Sequence, residues 1–457
     1  MRRTIITLYT LIAAAAGVQS QQYRQLTDIP TVYIETENHR NITSKEQYIY
    51  CTFTLVDGDS ILQLDSTQIR GRGNSSWGAQ KKPYRVKFAQ KQKLLGKHFA
   101  NARSWTLLAN HGDKTMIRNA LTYDLGQFMG MTFCPAAKFV DLYLNGSYRG
   151  TYQISDQVQV HKRRVDIDEE DGWLMEVANE NSREQPYIVS SRYGITYDIN
   201  NPDDDLLTVN KRIAIGQWIS QFEAAVASED FCDPEHGYRA YIDEHDFINW
   251  YVGAELTGNI DALYSIYMYK DADEEKMHFG PLWDLDIGYD NSSERSLLRA
   301  LEAFLGLWNR PFEKIMQRLW QDPWFARTCN DRLNELVDRG LQQYLISHVD
   351  SLRDAIYLSQ QKNFAVWPIN QQVYGFEKHK YYTNYDSYIA DLKNFINVHI
   401  PYLQQEFGRR CTATGIAEAG REDGEVRRRL YDLMGRRVSE PAGSGLYIGG
   451  RRKVLLK

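Results

Sequence analysis

The chain has 457 residues, 43% hydrophobic and 25% charged, with a formal net charge of −5. That apolar content over that length supports one large two-part body or two to three ordinary domains. A pI of about 6.1 excludes a whole-molecule field that gathers nucleic acid or anionic membrane, so neither is an expected partner.

Met1-Arg2-Arg3 leads into an apolar run from Ile5 to Val18 that closes on small residues at Ser20. This pattern predicts a secretory signal peptide over residues 1–20; the run is shorter than the roughly 20 apolar residues of a membrane-spanning helix. No later segment reads as a span, so the mature chain is expected to be exported without a transmembrane segment. Cys51, Cys134, Cys232, Cys329 and Cys411 are scattered, with no CxxC pair and no histidine at ligand spacing, which argues against structural zinc.

Residues 30–204 read mainly as strands, at Thr31–Glu35, Tyr48–Leu55, Tyr84–Phe88, Phe139–Leu144 and Tyr148–Ile154, with Asn145-Gly146 as a hairpin turn. Lys114–Met129 has helical periodicity, and Asp113 before it suits an N-cap or an acceptor for Arg118. Residues 205–410 read mainly as helices: Leu206–Ser228, Tyr238–Leu256, Ser296–Trp308, Pro311–Gln321, Pro323–His348, Val349–Asn363 and Asp386–Phe407. An acidic strand pair around Asp261–Ile287 interrupts them. From Thr412 a Gly-containing linker leads to a small strand-turn-strand unit ending at Lys457. The fold class expected is α+β, a sheet-rich half followed by a helix-rich half with a cleft between two lobes, plus a small β module.

Four sets of residues are candidates for chemistry. In Arg70-Gly71-Arg72-Gly73-Asn74-Ser75-Ser76-Trp77, glycines admit close backbone approach, and arginines beside exposed amides favour phosphate. The segment matches no standard nucleotide-binding glycine pattern, and Gly-Asn-Ser is equally good turn material. In the strand that follows, Arg85 and Lys87 alternate with Tyr84, Val86 and Phe88, so one of these cations can reach a cleft, although a solvated strand face is the plainer reading. Asp156 reads either as a surface carboxylate or as a group that orients a cationic phosphate ligand. Asp284 and Asp286 alternate with Trp283, Leu285 and Ile287, so a strand there puts both acids on one side. Like charges at that spacing repel unless a cation or proton lies between them, which makes metal-assisted transfer the leading reading.

Taken in order, Arg70-Gly71-x-Gly73-Asn74-Ser75-Ser76-Trp77, Lys81-Lys82-Pro83-Tyr84-Arg85-Val86-Lys87-Phe88, Leu107-Leu108-Ala109-Asn110 with Asp113 and Arg118-Asn119, Gly150 and Tyr152 with Asp156-Gln157, Asn259-x-Asp261, and Gly280-Pro281-x-Trp283-Asp284-x-Asp286 resemble the CotH family of spore-coat-type, protein-kinase-like proteins. The resemblance spans roughly Ile69–Asn291, with a helical continuation toward Phe407. It implies a divergent bilobal protein-kinase-like fold over residues 22–410, use of ATP with Mg²⁺ or Mn²⁺, and phosphorylation of Ser or Thr in protein substrates. It assigns Asp261 as the catalytic carboxylate and Asp284, with Asp286 as auxiliary acid, to the metal. Arg72, Asn74, Lys82, Lys87 and Asp156 are the implied nucleotide contacts. At Asp156 the family generally carries Glu, so the arm is shorter here. Leu430-Tyr431-Asp432-Leu433-Met434-Gly435-Arg436-Arg437-Val438 and Gly445-Leu446-Tyr447-Ile448 resemble the C-terminal sorting domain of the type IX secretion system. That resemblance covers residues 412–457 and implies that secretion machinery as a partner, with passage through the periplasm to the cell surface or medium. Two other classes fit less well: a surface adhesin that keeps a kinase-like scaffold without turnover, and a carbohydrate-active hydrolase with paired carboxylates. Binding alone gives no reason for Asp261, Asp284 and Asp286, which favours the transferase.

Overall fold

The computed structural model describes residues 23–178, 186–203, 205–259, 261–292, 310–373, 377 and 381–425, together with four short strands of the tail. The expected signal peptide and the expected helix Ser296–Trp308 lie outside the described residues. The fold is mixed α+β, sheet-rich in its N-terminal half and helical in its C-terminal half.

Strands β1 (Thr31–Thr36), β2 (Ile49–Asp57), β3 (Ser60–Gly71), β4 (Tyr84–Gln92), β5 (Ala102–Leu108), β6 (Ala137–Leu144) and β7 (Ser147–Ser155) close into a barrel in the order β1-β2-β3-β4-β5-β7-β6. All neighbours are antiparallel except β1 and β6, whose parallel register pairs Thr31 with Asp141. Alternation explains the interior: Val32, Ile34, Phe53, Ile69, Val86, Phe88, Trp105, Leu107, Val140 and Ile154 all point into one buried cluster. Closure leaves no unpaired barrel edge. The Asn145-Gly146 turn joins β6 to β7 as expected, with both residues at positive φ. Neither β3 nor β5 is foreseen from the sequence; β3 carries exposed polar residues over much of its length, which hides its period.

A second sheet of five strands runs in the order β12-β11-β8-β10-β9. It takes β8 (Trp173–Val177), β9 (Tyr187–Val189) and β10 (Thr196–Asn201) from the N-terminal half, and β11 (Ile266–Lys270) and β12 (His278–Phe279) from the C-terminal half. Met175, Val177, Tyr197, Ile199, Ile266 and Met268 on one face enter the large helical core.

The helices are α1 (Ser75–Gly78), α2 (Arg118–Met129), α3 (Val209–Ala227), α4 (Glu244–Thr257), α5 (Glu313–Leu319), α6 (Pro323–Asp338), α7 (Leu341–Ala355), α8 (Tyr357–Val366) and α9 (Tyr385–Glu425). Several expected boundaries move for local reasons. The helix expected from Lys114 begins at Arg118, because Met116 sits at φ 58. The expected Pro323–His348 breaks at Gly340, whose φ of 87 ends one helix before the next starts. The expected Val349–Asn363 becomes the end of α7 and most of α8. Asp243 and Asp322 accept N–H groups as N-caps of α4 and α6, the latter with Pro323 in the first turn. The last helix runs through Thr412 to Glu425, where a linker is expected. Beyond it, Leu430–Tyr431, Arg437–Val438, Gly445–Gly449 and Arg452–Leu456 form a four-stranded sheet.

The helical half is fastened to the barrel through α8. Ser359 donates to Asp141 at 2.6 Å, Thr151 N–H donates to Asn363 at 3.2 Å, and Trp367 Nε1 donates to the Arg149 carbonyl at 2.8 Å. No helix among the described residues is long and apolar enough to cross a membrane.

Candidate active site

A cleft of about 350 Å³ opens between the barrel and the second sheet. Its basic wall comes from β3, the loop after it, and β4. On β4, Tyr84, Val86 and Phe88 are buried inward and Arg85 therefore faces the cleft. Arg70 on β3 is the register partner of Arg85, and Arg72 joins them on the lining. Like charges directly opposite on neighbouring strands are destabilising. Burial pushes the Arg85 guanidinium below its usual range; Tyr48 opposes that shift, and Arg70, Arg72 and Arg164 add to it. Arg70 lies over the Tyr48 ring at 5.2 Å. The Nε groups of Arg70 and Arg85 are buried and have no hydrogen-bond partner among the described residues. Such a wall is short of an anion.

The glycines of the Arg-Gly-Arg-Gly segment have separate jobs. A Cβ at Gly71 would run into the Trp77 ring, and Gly73 sits at φ 80. The turn they allow brings Asn74, Ser75 and Ser76 onto the lining beside Arg72. Asn74 Oδ1 accepts from Lys45 at 3.2 Å.

The floor is the outer face of the second sheet. Glu176 on β8 has Asp198 on β10 as one register partner and Tyr267 on β11 as the other, and all three line the cleft. Burial, then the Glu176 carboxylate, push the Tyr267 hydroxyl well above its usual range. Motif spacing misses Glu176 and Asp198 as site residues; the alternation of Glu176 with Met175 and Val177 marks a strand but says nothing of what faces it.

The third lining is acidic. Asp261 follows α4, its N–H donating to Asn259 Oδ1 at 3.1 Å, and its carboxylate pairs with Arg310 at 2.9 Å. Arg310 itself stacks over Tyr264 at 4.2 Å. Asp284 and Asp286 also line the cleft, but not from a strand. Asp284 has φ 62, and the chain from Pro281 to Ile287 follows an irregular path, so the expected strand here is corrected to a loop. Tyr289 and Asp290 also have positive φ. Backbone of this kind costs about 1–3 kcal/mol per residue and persists only where its surroundings impose it. Here side chains impose it. Asn291 Nδ2 donates to the Asp286 carbonyl at 2.6 Å, Arg118 Nε to the Gly288 carbonyl at 3.2 Å, and Asn119 Oδ1 accepts the Leu285 N–H at 3.0 Å. Asp113 in turn pairs with the Arg118 guanidinium and accepts the Arg118 N–H, which bears out its reading as an acceptor for Arg118, while the N-cap position of α2 falls to Ile117.

Asp284 is exposed to the cleft it lines, with protein packed densely around its carboxyl group. Desolvation accordingly raises its pKa first, Asp261 adds to the rise, and Arg72 opposes it. Asp286 is raised well above the usual carboxylate range, by burial first and then by Asp284, Asp113 and Asp261. Asp284 and Asp286 thus keep raised pKa values despite Arg72 and Arg118, in the same cleft where the Nε groups of Arg70 and Arg85 have no hydrogen-bond partner among the described residues. Among the described residues, only Asp243, Asp246 and His278 bring three metal-type donor atoms within 4.8 Å of one another. That trio does not line the cleft; there Asp246 Oδ2 meets His278 Nδ1 at 2.9 Å and Asp243 caps α4. The wider setting of Asp261, Asp284 and Asp286 suits a hard cation that keeps water and phosphate oxygens in its shell.

The implied lysine contacts do not meet in this space. Lys82 Nζ donates to the Trp77 carbonyl at 2.6 Å and lies over the Trp77 ring at 4.6 Å. Lys87 is absent from the lining, as is Lys82. Lys81 is buried, donating to the Ala109 carbonyl at 2.7 Å, and burial holds its pKa well below the usual range. Asp156 is buried too. It pairs with Arg164 at 2.8 Å and accepts the Ala136 N–H at 3.2 Å, while the adjacent Gln157 reaches the lining. Its surface reading is thus corrected. Burial pushes the Cys51 and Cys134 thiols up to about 12, which disqualifies both as nucleophiles at neutral pH.

Comparison with curated proteins returns no match. The model of the family described as CotH kinase protein matches residues 69–403, a span that contains the whole basic wall, the sheet floor and the three cleft acids. With most of its length covered by that match, the chain belongs to the CotH kinase family, and the activity that this membership suggests is kinase-like.

Proposed function

We propose that this protein is an exported, divalent-metal-dependent phosphotransferase that moves the terminal phosphoryl group of ATP to Ser or Thr hydroxyls of extracytoplasmic or surface proteins. One observation carries the reading: the Nε groups of the opposed Arg70 and Arg85 have no hydrogen-bond partner among the described residues, in the same cleft where burial and neighbouring carboxylates raise the pKa values of both Asp284 and Asp286. A triphosphate with its metal suits both, on what we take to be a divergent two-lobed kinase scaffold.

In this reading Arg70, Arg72 and Arg85 hold phosphate oxygens and screen charge that develops during transfer. Asn74, Ser75 and Ser76 offer polar groups along the same path. Asp284 and Asp286 would hold the Mg²⁺ or Mn²⁺, which when bound gathers phosphate oxygens and offsets their charge. Asp261 orients the acceptor hydroxyl and receives its proton as the new O–P bond forms and the bond to the ADP leaving group breaks; Arg310 keeps that carboxylate in place. The N-terminal apolar run and the C-terminal motifs support export through the type IX route, and the small sheet at Leu430–Leu456 is compatible with a separate sorting module.

Intact-mass spectrometry after incubation with ATP, Mn²⁺ and a Ser/Thr-rich acceptor protein tests the reaction. The expected gain is one phosphate on the acceptor. A gain of AMP would replace phosphoryl by nucleotidyl transfer, and no gain at all would return the surface-adhesin reading.

A further inference from the structure

The two acids assigned to the cation flank Leu285, whose N–H is the backbone donor lying between them. Asn119, in the first turn of α2 and buried, accepts it at 3.0 Å. The other end of the Asn119 amide is also committed: Nδ2 donates to Asn110 Oδ1 at 3.1 Å. Asn110 Nδ2 donates in turn to the Met116 carbonyl at 3.0 Å and to Gln153 Oε1 at 3.1 Å. Gln153 is fully buried on β7, where its register partners are Leu108 and Phe139. A chain of three buried amides thus runs from a barrel strand to the backbone between Asp284 and Asp286.

Asn119 and Asn110 each use the donor and the acceptor of one amide, which Ala or Leu cannot reproduce, and Gln153 ends the chain with its Oε1 as acceptor. Asp284 is held at positive φ and the loop has no strand ladder to fix it. Its spacing to Asp286 therefore depends on side chains: Asn259 Nδ2 donates to the Asp284 carbonyl at 3.5 Å, Asn291 Nδ2 to the Asp286 carbonyl at 2.6 Å, and Asn119 holds the Leu285 N–H between them.

We propose that Asn119, backed by Asn110 and Gln153, is a positioning residue for Asp284 and Asp286, acting by tying the Leu285 between them to the barrel. The consequence for the loop stands on geometry alone, whereas the consequence for cation affinity rests on the phosphotransferase reading. Outer-shell partners of metal ligands typically change affinity by about 10–100-fold.

The experiment combines hydrogen exchange by mass spectrometry on peptides covering 281–288 of the metal-free protein with Mn²⁺ titration followed by electron paramagnetic resonance. Asn119→Ala is expected to speed exchange in that segment while β1 and β2 keep wild-type rates, and to weaken Mn²⁺ binding about 10–100-fold. Asn119→Asp, which still accepts from Leu285 but loses the donor to Asn110, is expected to restore protection in part. Asn110→Ala leaves the Leu285 contact in place and should shift both readouts in the same direction by less; it carries the test if Asn119→Ala does not fold. Wild-type exchange at 281–288 in a folded Asn119→Ala protein overturns the proposal, as does faster exchange with unchanged Mn²⁺ affinity. Absence of Mn²⁺ binding by the wild-type protein removes the cation reading, and the exchange data then decide the loop claim by themselves.

Discussion

The basic and acidic walls of the cleft are built by opposite means. Arg70 and Arg85 stand on paired strands of a closed barrel, so backbone ladders fix their positions and alternation fixes their direction. Asp284 and Asp286 stand on a loop with positive-φ residues, held by the side chains of Asn119, Arg118 and Asn291. The basic side is therefore tolerant of changes behind it, and the acidic side is not. A barrel strand keeps its register when one neighbour is lost; a pinned loop loses its shape when one pin goes.

The largest effect that sharpens this contrast falls on the acidic side. Asp261→Asn should retain Mn²⁺·ATP binding yet lose transfer by about 10²–10⁴-fold, the usual scale for a proton-accepting group; steady-state kinetics with a protein acceptor measure it, and unchanged turnover would remove Asp261 from that role. Next comes the basic wall. Arg85→Gln should weaken ATP binding about 10–100-fold, since hydrogen bonds to charged groups contribute about 1.5–3 kcal/mol. Lys87→Gln should change it less than about twofold, because Lys87 is not on the lining. Isothermal titration of both variants compares them directly, and equal losses would mean that the lysine reaches the nucleotide after all.

The smallest effect concerns stability and pH. Asp286 has its folded-state pKa raised by burial and by Asp284, so the folded protein binds its proton more tightly than the unfolded chain does. This contribution to stability is present in full below the ordinary Asp value of about 3.9 and is lost as pH rises through the raised value. At neutral pH the metal-free protein thus bears an unfavourable charge that Asp286→Asn removes. The variant should melt about 2 °C higher than wild type without metal, and the gap should shrink as pH falls. The same sign makes Mn²⁺ affinity fall on acidification, beginning above the range of an ordinary carboxylate. Differential scanning fluorimetry across pH tests both, and a gap that widens toward low pH would reverse the assignment.

Much of this fold is legible in the sequence where chemistry is local. The Asn145-Gly146 hairpin, the alternation of Tyr84, Val86 and Phe88, and the Asp322-Pro323 helix start each declare themselves within a few residues. The acids of the candidate site are also legible, because repulsion between Asp284 and Asp286 is a statement about neighbours in sequence. What is not legible depends on pairing. Arg70 gains its meaning only from standing opposite Arg85, and Glu176 only from facing Asp198 and Tyr267 across strands. Lys82 is misjudged for the same reason, since it precedes the first paired residue of β4 and finds the Trp77 carbonyl instead, whereas Lys87 is paired in the ladder and still stays off the lining. The strand expected at Trp283–Ile287 fails because period-two alternation does not reveal a backbone that α2 side chains bend into a loop.

Isothermal titration of ATP into wild-type protein and Asp284→Ala, each with and without Mn²⁺, tests the central claim most directly. Joint action of the arginine wall and the acids predicts that Mn²⁺ tightens ATP binding in the wild type and no longer does so in the variant. Equal Mn²⁺ dependence in both proteins, or ATP binding to the wild type that ignores Mn²⁺, would contradict it.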